Sequence, residues 1–155
     1  MDYEKLFSEQ PLATMHIIML HTTATPLGME VTVDDIRRWH RARGFSDVGY
    51  NFIISPDGSV HKGRPLDRAG AHAVGYNRTA VGIAYVGGLD DEGQPSDTRT
   101  PQQKQAMLAL IAALRRRFPQ LTRLMGHNQV AAKACPCFRV DEEEAFRTIE
   151  GLRDL

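Results

Sequence analysis

Three short runs of apolar residues most constrain what this chain can fold into. They cover residues 15–20, 51–55 and 80–86, and they are rich in β-branched and aromatic side chains. Continuous apolar runs of this length are typical of strands that are buried on both faces of a sheet. Because helical patterns occur between and after these runs, the sequence predicts a single α/β domain, with a central mixed sheet flanked by α-helices.

Local signals predict where the helices begin and where the chain reverses. Thr32 and Thr100 occupy N-cap positions, and the helices that follow them are predicted to extend to Arg43 and Phe118. The turn signal Pro56-Asp57-Gly58 comes directly after the second apolar run, which predicts a β-hairpin.

The C-terminal segment carries a further helical pattern. Asp141 precedes three consecutive glutamates, and negative charge is favourable in the first turn of a helix. The apolar residues that follow are spaced as one inward face of a packed closing helix: Ala145, Phe146, Ile149 and Leu152.

Composition excludes several classes of protein. A chain of 155 residues is long enough for one domain with a substantial core. Its 19 basic and 19 acidic residues leave no net charge, so no overall positive field would attract nucleic acid. The acidic N-terminus and the shortness of residues 15–20 predict neither a signal peptide nor a membrane span. We therefore expect a protein made in the cytoplasm, and nothing in the sequence indicates more than a monomer.

The segment from Gly126 to Pro136 places a histidine and a cysteine in a short, turn-prone stretch. His127 and Cys135 are too far apart for one helical face and too close for separate elements, so a loop must fold back between them. Imidazole nitrogen and thiolate sulfur are zinc ligands, and a catalytic zinc site takes three protein ligands and leaves one position open. Taken alone, each residue also has an ordinary structural explanation, since a buried cysteine often serves as a small apolar group.

His21 is the candidate for the third ligand. It follows the first buried run, and open α/β sheets place their ligands at the carboxyl ends of strands. A histidine that only hydrogen-bonds the following loop is the alternative. Cys137, which is separated from Cys135 by one proline, leaves the identity of the sulfur ligand open.

Several short segments of the sequence together resemble those of a known family. They are His21-Thr22-Thr23-Ala24-Thr25, residues 48–54, residues 72–77 and Lys133-Ala134-Cys135-Pro136. In this combination the sequence resembles the zinc-dependent N-acetylmuramoyl-L-alanine amidases of type 2, which are related to peptidoglycan recognition proteins. Within that group it is most similar to the amidase-type lysozymes, or endolysins, of T-odd coliphages. The similarity begins near Ile17, so we expect residues 1–14 to be an N-terminal extension and residues 15–155 to form the amidase domain.

The resemblance implies a role for each candidate residue. It makes His21, His127 and Cys135 the ligands of one zinc ion, and Tyr50 and Lys133 the catalytic residues. His72 falls in the segment that lines the cleft of the family, where it would contact the substrate. The sequence departs from the phage pattern at Thr22-Thr23, at Gly126 and at Cys137, but it keeps every implied ligand.

The implied activity is hydrolysis of the amide bond between N-acetylmuramic acid and L-alanine in peptidoglycan, with action on the cell wall after release from the cytoplasm. One alternative is a peptidoglycan-binding module on the same fold that does not hydrolyse its ligand. Another is regulation of a phage RNA polymerase, because the phage relatives also bind that enzyme. A peptidase with a cysteine nucleophile is the third, and chelation would spare it.

Overall fold

A five-stranded mixed sheet forms the centre of the protein, whose computed structural model describes residues 2–153 and residue 155. The strands are β1 (Ile17–Thr22), β2 (Thr25–Pro26), β3 (Phe52–Ile54), β4 (Val60–Lys62), β5 (Ala80–Tyr85), β6 (Gly88–Leu89) and β7 (Arg123–Gly126). The strand order in the sheet is β4-β3-β5-β1-β7, in which β4 is antiparallel to β3 and the other pairs are parallel. The two short strands β2 and β6 pair separately.

The three apolar runs of the sequence become β1, β3 and β5, and every residue of these strands is buried. This confirms the predicted mixed sheet. Strand β1 continues beyond the predicted run because its parallel pairing with β5 extends to Thr22. His21 therefore lies within the strand, next to Ala84 of β5.

Helices cover both faces of the sheet. The helix α2 (Pro101–Arg117) packs on one face, where its buried side chains join Ile18 and Leu20 in the main core. The helix α1 (Val33–Ala42) packs on the other face, where Ile36 contributes to a smaller cluster with Ile53. Since Ile53, Ala84 and His21 are in register across three strands, His21 projects from the face that α1 covers.

The predicted helix starts and the hairpin are confirmed. Thr32 caps α1 and Thr100 caps α2, each through a complete capping box with the residue three positions later. Gly44 ends α1 with a φ of 94°, in the left-handed region that glycine adopts without strain. The turn at residues 56–58 joins β3 to its antiparallel neighbour β4.

The prediction of one continuous closing helix is wrong. The segment instead contains a 3-10 turn at Val140–Glu142 and a single helical turn, α3, at Glu144–Arg147. Glu143 separates them in an extended conformation, and its carboxylate accepts hydrogen bonds from Arg99 rather than facing solvent at a helix start. Three of the four predicted apolar residues still pack as expected, because Phe146 is buried and Ile149 and Leu152 pack against the main core.

The N-terminal residues before β1 also contact the core. A 3-10 turn at Tyr3–Leu6 leads to Phe7, whose ring packs edge-on against Phe52 with centroids 5.8 Å apart. Across the described part of the chain, no helix is both long and apolar enough to cross a membrane.

Candidate metal centre

Three potential metal ligands meet at the carboxyl end of the sheet. The ligand atoms of His21, His127 and Cys135 all lie within 4.8 Å of one another. Both histidines are buried and Cys135 is partly buried. The structure thus brings together the three residues that the sequence singles out as zinc ligands.

The parallel pairing of β1 with β7 explains why the two histidines are adjacent. Leu20 of β1 pairs with Gly126, the last residue of β7, so the residues that follow this pair, His21 in β1 and His127 just after β7, lie next to each other at the end of the sheet. Their imidazole rings have centroids 4.7 Å apart. A 3-10 turn at His127–Gln129 then directs the chain away from the sheet and towards the loop that carries the cysteine.

The loop after β7 returns Cys135 to the end of β1. The backbone N–H of Thr22 donates to Sγ of Cys135 at 3.3 Å, and Sγ lies 3.7 Å from Nδ1 of His21. The buried hydroxyl of Tyr85 donates to the carbonyl of Pro136 at 2.7 Å, which fixes the loop to β5. Both anchors come from central strands, so the position of the sulfur is tied to the most buried part of the fold.

The second cysteine points elsewhere. The Sγ–H of Cys137 donates to the carbonyl oxygen of Gly88 at 3.4 Å, whereas only Cys135 belongs to the cluster of ligand atoms. The sequence left open which cysteine supplies the sulfur, and the geometry favours Cys135.

Electrostatics make the histidines of the cluster suitable ligands. Burial, together with the neighbouring His72, His127 and Lys133, holds the pKa of His21 well below its usual value. Burial and then Lys133 lower the pKa of His127 as well. Both imidazoles are therefore neutral at pH 7, which is the form that binds a metal ion.

The thiol of Cys135 behaves differently. Burial raises its pKa to about 11, an effect only partly offset by the Thr22 N–H and the charge of Lys133. Without a cation the sulfur keeps its proton at neutral pH, whereas coordination to a metal deprotonates a thiol outright. Two neutral nitrogens and one sulfur that a metal can ionise match the donor set of a zinc site.

Tyr50 and Lys133 border the cluster. The ring of Tyr50 has its centroid 5.5 Å from that of His21, and its hydroxyl donates to the carbonyl of Thr22 at 3.4 Å. Burial raises the pKa of Tyr50 above its usual value, so the hydroxyl keeps its proton at neutral pH. Lys133 is exposed at the rim, close enough for its charge to affect both histidines.

His72 contacts the cluster from the loop that precedes β5. Its Nδ1 lies 2.8 Å from Nε2 of His21, and its Nε2 lies 3.1 Å from the carbonyl oxygen of Ala80. The two rings are nearly perpendicular, with centroids 4.8 Å apart. Burial lowers the pKa of His72 to about 4, an effect that outweighs its hydrogen bond to Ala80.

Two residues that support the site were missed in the sequence. Asn77 accepts hydrogen bonds from the backbone N–H groups of His72 and Ala73, which precede it by five and four residues in the same loop. The other is Arg99, whose side chain is 1% exposed and whose guanidinium lies 3.4 Å from the ring centre of Phe138. No local pattern in the sequence marks Arg99, because only Asp97 of its partners is nearby along the chain, whereas Glu143 and Phe138 are distant.

Comparison with known proteins shows that the chain is similar to a family of amidases. The family model described as N-acetylmuramoyl-L-alanine amidase matches residues 11–138. The endolysin of Enterobacteria phage K11 is 46% identical over 119 residues, which cover 77% of this chain and 78% of the relative. The endolysin of Escherichia phage T7 is 42% identical over 121 residues, covering 78% and 80%.

A solved structure extends the similarity to the fold. The endolysin N-acetylmuramoyl-L-alanine amidase LysCS from Clostridium intestinale URNW aligns with a TM-score of 0.76 and 31% identity. The alignment covers 93% of this chain and 90% of that protein. The mixed sheet and its flanking helices are therefore shared with an amidase across almost the entire chain.

Proposed function

The chain belongs to the N-acetylmuramoyl-L-alanine amidase family, and from this premise we propose that it cleaves its peptidoglycan substrate with one zinc ion held by His21, His127 and Cys135. The bond broken is the amide between the lactyl group of N-acetylmuramic acid and L-alanine of the stem peptide. The observation that carries the proposal is the convergence of three ligand atoms within 4.8 Å, two from histidines at the ends of adjacent parallel strands and one from Cys135 in the following loop.

The chemistry of the residues fits a catalytic rather than a purely structural metal. His21, His127 and Cys135 would supply the three protein ligands that a catalytic zinc ion takes, and the exposed side chain of Lys133 marks the solvent-facing edge of this cluster. When bound, zinc lowers the pKa of water towards about 7 and polarises a carbonyl oxygen. The buried ends of β1 and β7 hold the two imidazoles in place before the substrate arrives.

Tyr50 is proposed to orient the attacking water. Its hydroxyl lies near the ligand cluster and keeps its proton at neutral pH, so it acts through hydrogen bonds instead of as the general base. Its ring lies between those of His21 and His40, with centroid separations of 5.5 and 5.3 Å, which limits its movement.

Lys133 is proposed to stabilise the negative charge that develops on the carbonyl oxygen of the scissile amide. Its position two residues before Cys135 puts an ammonium at the rim of the cluster. We expect Lys133→Ala to bind zinc as the wild-type protein does, while kcat falls by about 10²–10³-fold, as for other lost oxyanion donors. Turnover and zinc content measured on the same sample check this, with Lys104→Ala on the exposed surface of α2 as the control. A loss of zinc from the Lys133 variant would contradict the proposed role.

A cysteine-nucleophile peptidase is the competing enzyme class. Its nucleophile would be a thiolate, whereas burial raises the pKa of Cys135 to about 11. The neighbouring histidines also have lowered pKa values, so neither is suited to hold the proton of an ion pair with that sulfur. These properties favour the metal hydrolase.

Chelation provides the direct test. Purified protein should contain one zinc per chain and should release new L-alanine amino termini from peptidoglycan. Removal of zinc should abolish this release, and added zinc should restore it, because the site has no other source of Lewis acidity among the described residues. Hydrolysis that persists in the metal-free protein would overturn the zinc proposal. Peptidoglycan binding without hydrolysis in the zinc-loaded protein would instead favour a recognition module.

The remaining functional inference concerns a second partner. Binding to a phage RNA polymerase, which the resemblance implies, stays a prediction. Co-purification of the chain with the RNA polymerase of a related phage would check it.

A further inference from the structure

The His72 imidazole links a proposed zinc ligand to the backbone of the sheet. We propose that His72 is a positioning residue, which makes Nε2 of His21 the protonated nitrogen and leaves Nδ1 of His21 free to bind the metal. This inference rests on the proposed zinc site. It assigns His72 a role other than the substrate contact that the sequence predicts.

The argument follows the hydrogen bonds outward from the backbone. The carbonyl oxygen of Ala80 can only accept, so Nε2 of His72, 3.1 Å away, must be the donor. In a neutral imidazole the other nitrogen is then an acceptor, and Nδ1 of His72 lies 2.8 Å from Nε2 of His21. His21 must therefore donate from Nε2, which leaves the lone pair on its Nδ1.

The nitrogen selected in this way is the one that faces the cluster. Nδ1 of His21 lies 3.7 Å from Sγ of Cys135, on the opposite side of the ring from His72. A hydrogen-bond acceptor behind a metal-binding histidine fixes both its tautomer and its ring orientation. The series of hydrogen bonds from the Ala80 carbonyl through His72 to His21 has this arrangement, and the acceptor behind His21 is an imidazole instead of the more usual carboxylate or carbonyl.

The surroundings of His72 hold its ring in place. A Cβ atom added to Gly82 of β5 would lie 2.9 Å from Cγ and Cδ2 of His72, so the ring packs directly on the sheet backbone. Gly70 approaches the same ring from the loop. Asn77 fixes the His72 backbone through an N–H hydrogen bond of 2.8 Å. Because both ring nitrogens are already bonded within the protein, neither is free for a substrate.

Two substitutions at position 72 distinguish the two hydrogen bonds of the His72 ring. In His72→Asn, the amide oxygen sits close to the position of Nδ1 and can still accept from His21. In His72→Gln, the amide reaches the position of Nε2 and can donate to Ala80, but it offers His21 no acceptor at the Nδ1 position. The glutamine protein should bind zinc about 10–100-fold more weakly than wild type, and the asparagine protein should recover much of the loss.

A third variant tests the packing without removing the imidazole. Gly82→Ala keeps His72 but should displace its ring from the sheet, so we expect weaker zinc binding here as well. All variants are compared with wild type by competition for zinc against a chromophoric chelator. The KM for peptidoglycan fragments is measured at saturating zinc.

The tautomer of His21 can be observed directly in the metal-free protein. In ¹⁵N-histidine NMR spectra, wild type should show Nε2 of His21 protonated and Nδ1 unprotonated. His72→Gln should lose this preference. A wild-type His21 protonated on Nδ1 would overturn the inference, as would a glutamine variant with unchanged zinc affinity. A raised KM with unchanged zinc affinity would restore the substrate-binding role. If wild type itself binds no zinc, the proposed function fails instead, and the NMR result still tests the hydrogen-bond chain.

Discussion

A Cys135→Ser protein should bind zinc far more weakly than wild type and should release no L-alanine termini from peptidoglycan. The thiol is the only group among the three proposed ligands that can supply negative charge to the ion, and a serine hydroxyl near neutral pH does not replace it. Since changes behind the ligands lower metal affinity by about 10–100-fold, loss of a ligand itself should exceed that range. Zinc content after dialysis and hydrolysis of purified peptidoglycan are the two measurements.

The neighbouring cysteine supplies a matched control. Cys137 lies two residues away in the same loop, and its Sγ–H donates to the carbonyl of Gly88, a bond that a serine hydroxyl can replace. Cys137→Ser should therefore retain both zinc and activity. If Cys137→Ser loses zinc while Cys135→Ser keeps it, the sulfur ligand has been assigned to the wrong residue.

The location of the cluster is the part of this protein that sequence reasoning captured best. An apolar run leads directly to His21 in β1, and open α/β sheets place their ligands at the carboxyl ends of strands. His127 and Cys135 are close in sequence, so a loop was sufficient to bring them together. The pairing of β1 with β7 could not be read from local patterns, because parallel neighbours are chosen by the packing of the entire sheet.

Charged residues with distant partners were the main source of error. The glutamates after Asp141 have the composition of a helix start, but Glu143 accepts two hydrogen bonds from Arg99, which is 44 residues away in the sequence. An ion pair over this distance overrides a local propensity worth only a few tenths of a kcal/mol per residue. The contacts of His72 could not be predicted for a similar reason, since its partners His21 and Ala80 become neighbours only in the folded sheet.

Removal of the buried charge of Arg99 should destabilise this protein. Its guanidinium donates to Asp97 and Glu143 and stacks on Phe138, while its side chain is 1% exposed. Burial alone would raise the pKa of Asp97, yet the hydrogen bonds from Arg99 hold that pKa below its usual value. Arg99→Ala should lower the free energy of unfolding by about 3 kcal/mol, the lower end for a broken buried ion pair, because both carboxylates are partly solvated.

Arg99→Ala should weaken the metal centre as well as lower the stability of the fold. The carbonyl of Phe138 accepts a hydrogen bond from Asn128, which lies between the two ligands His127 and Cys135. Without the stacked guanidinium, the loop that carries Cys135 loses one of its contacts with the core. We expect Tm to fall by roughly 6–12 °C for a chain of this size and zinc to dissociate faster from the variant.

Arg139→Ala is the control that separates a buried from an exposed ion pair. Arg139 pairs with Asp141 in the same C-terminal segment, but its side chain is 44% exposed, and such pairs contribute about 0–1 kcal/mol. Thermal and urea unfolding of both variants, with and without zinc, give the comparison. Equal losses of stability in the two variants would mean that the buried guanidinium does not hold the C-terminal segment to the core. A larger loss in Arg99→Ala that persists in the metal-free protein would show that this ion pair stabilises the fold independently of the zinc ion.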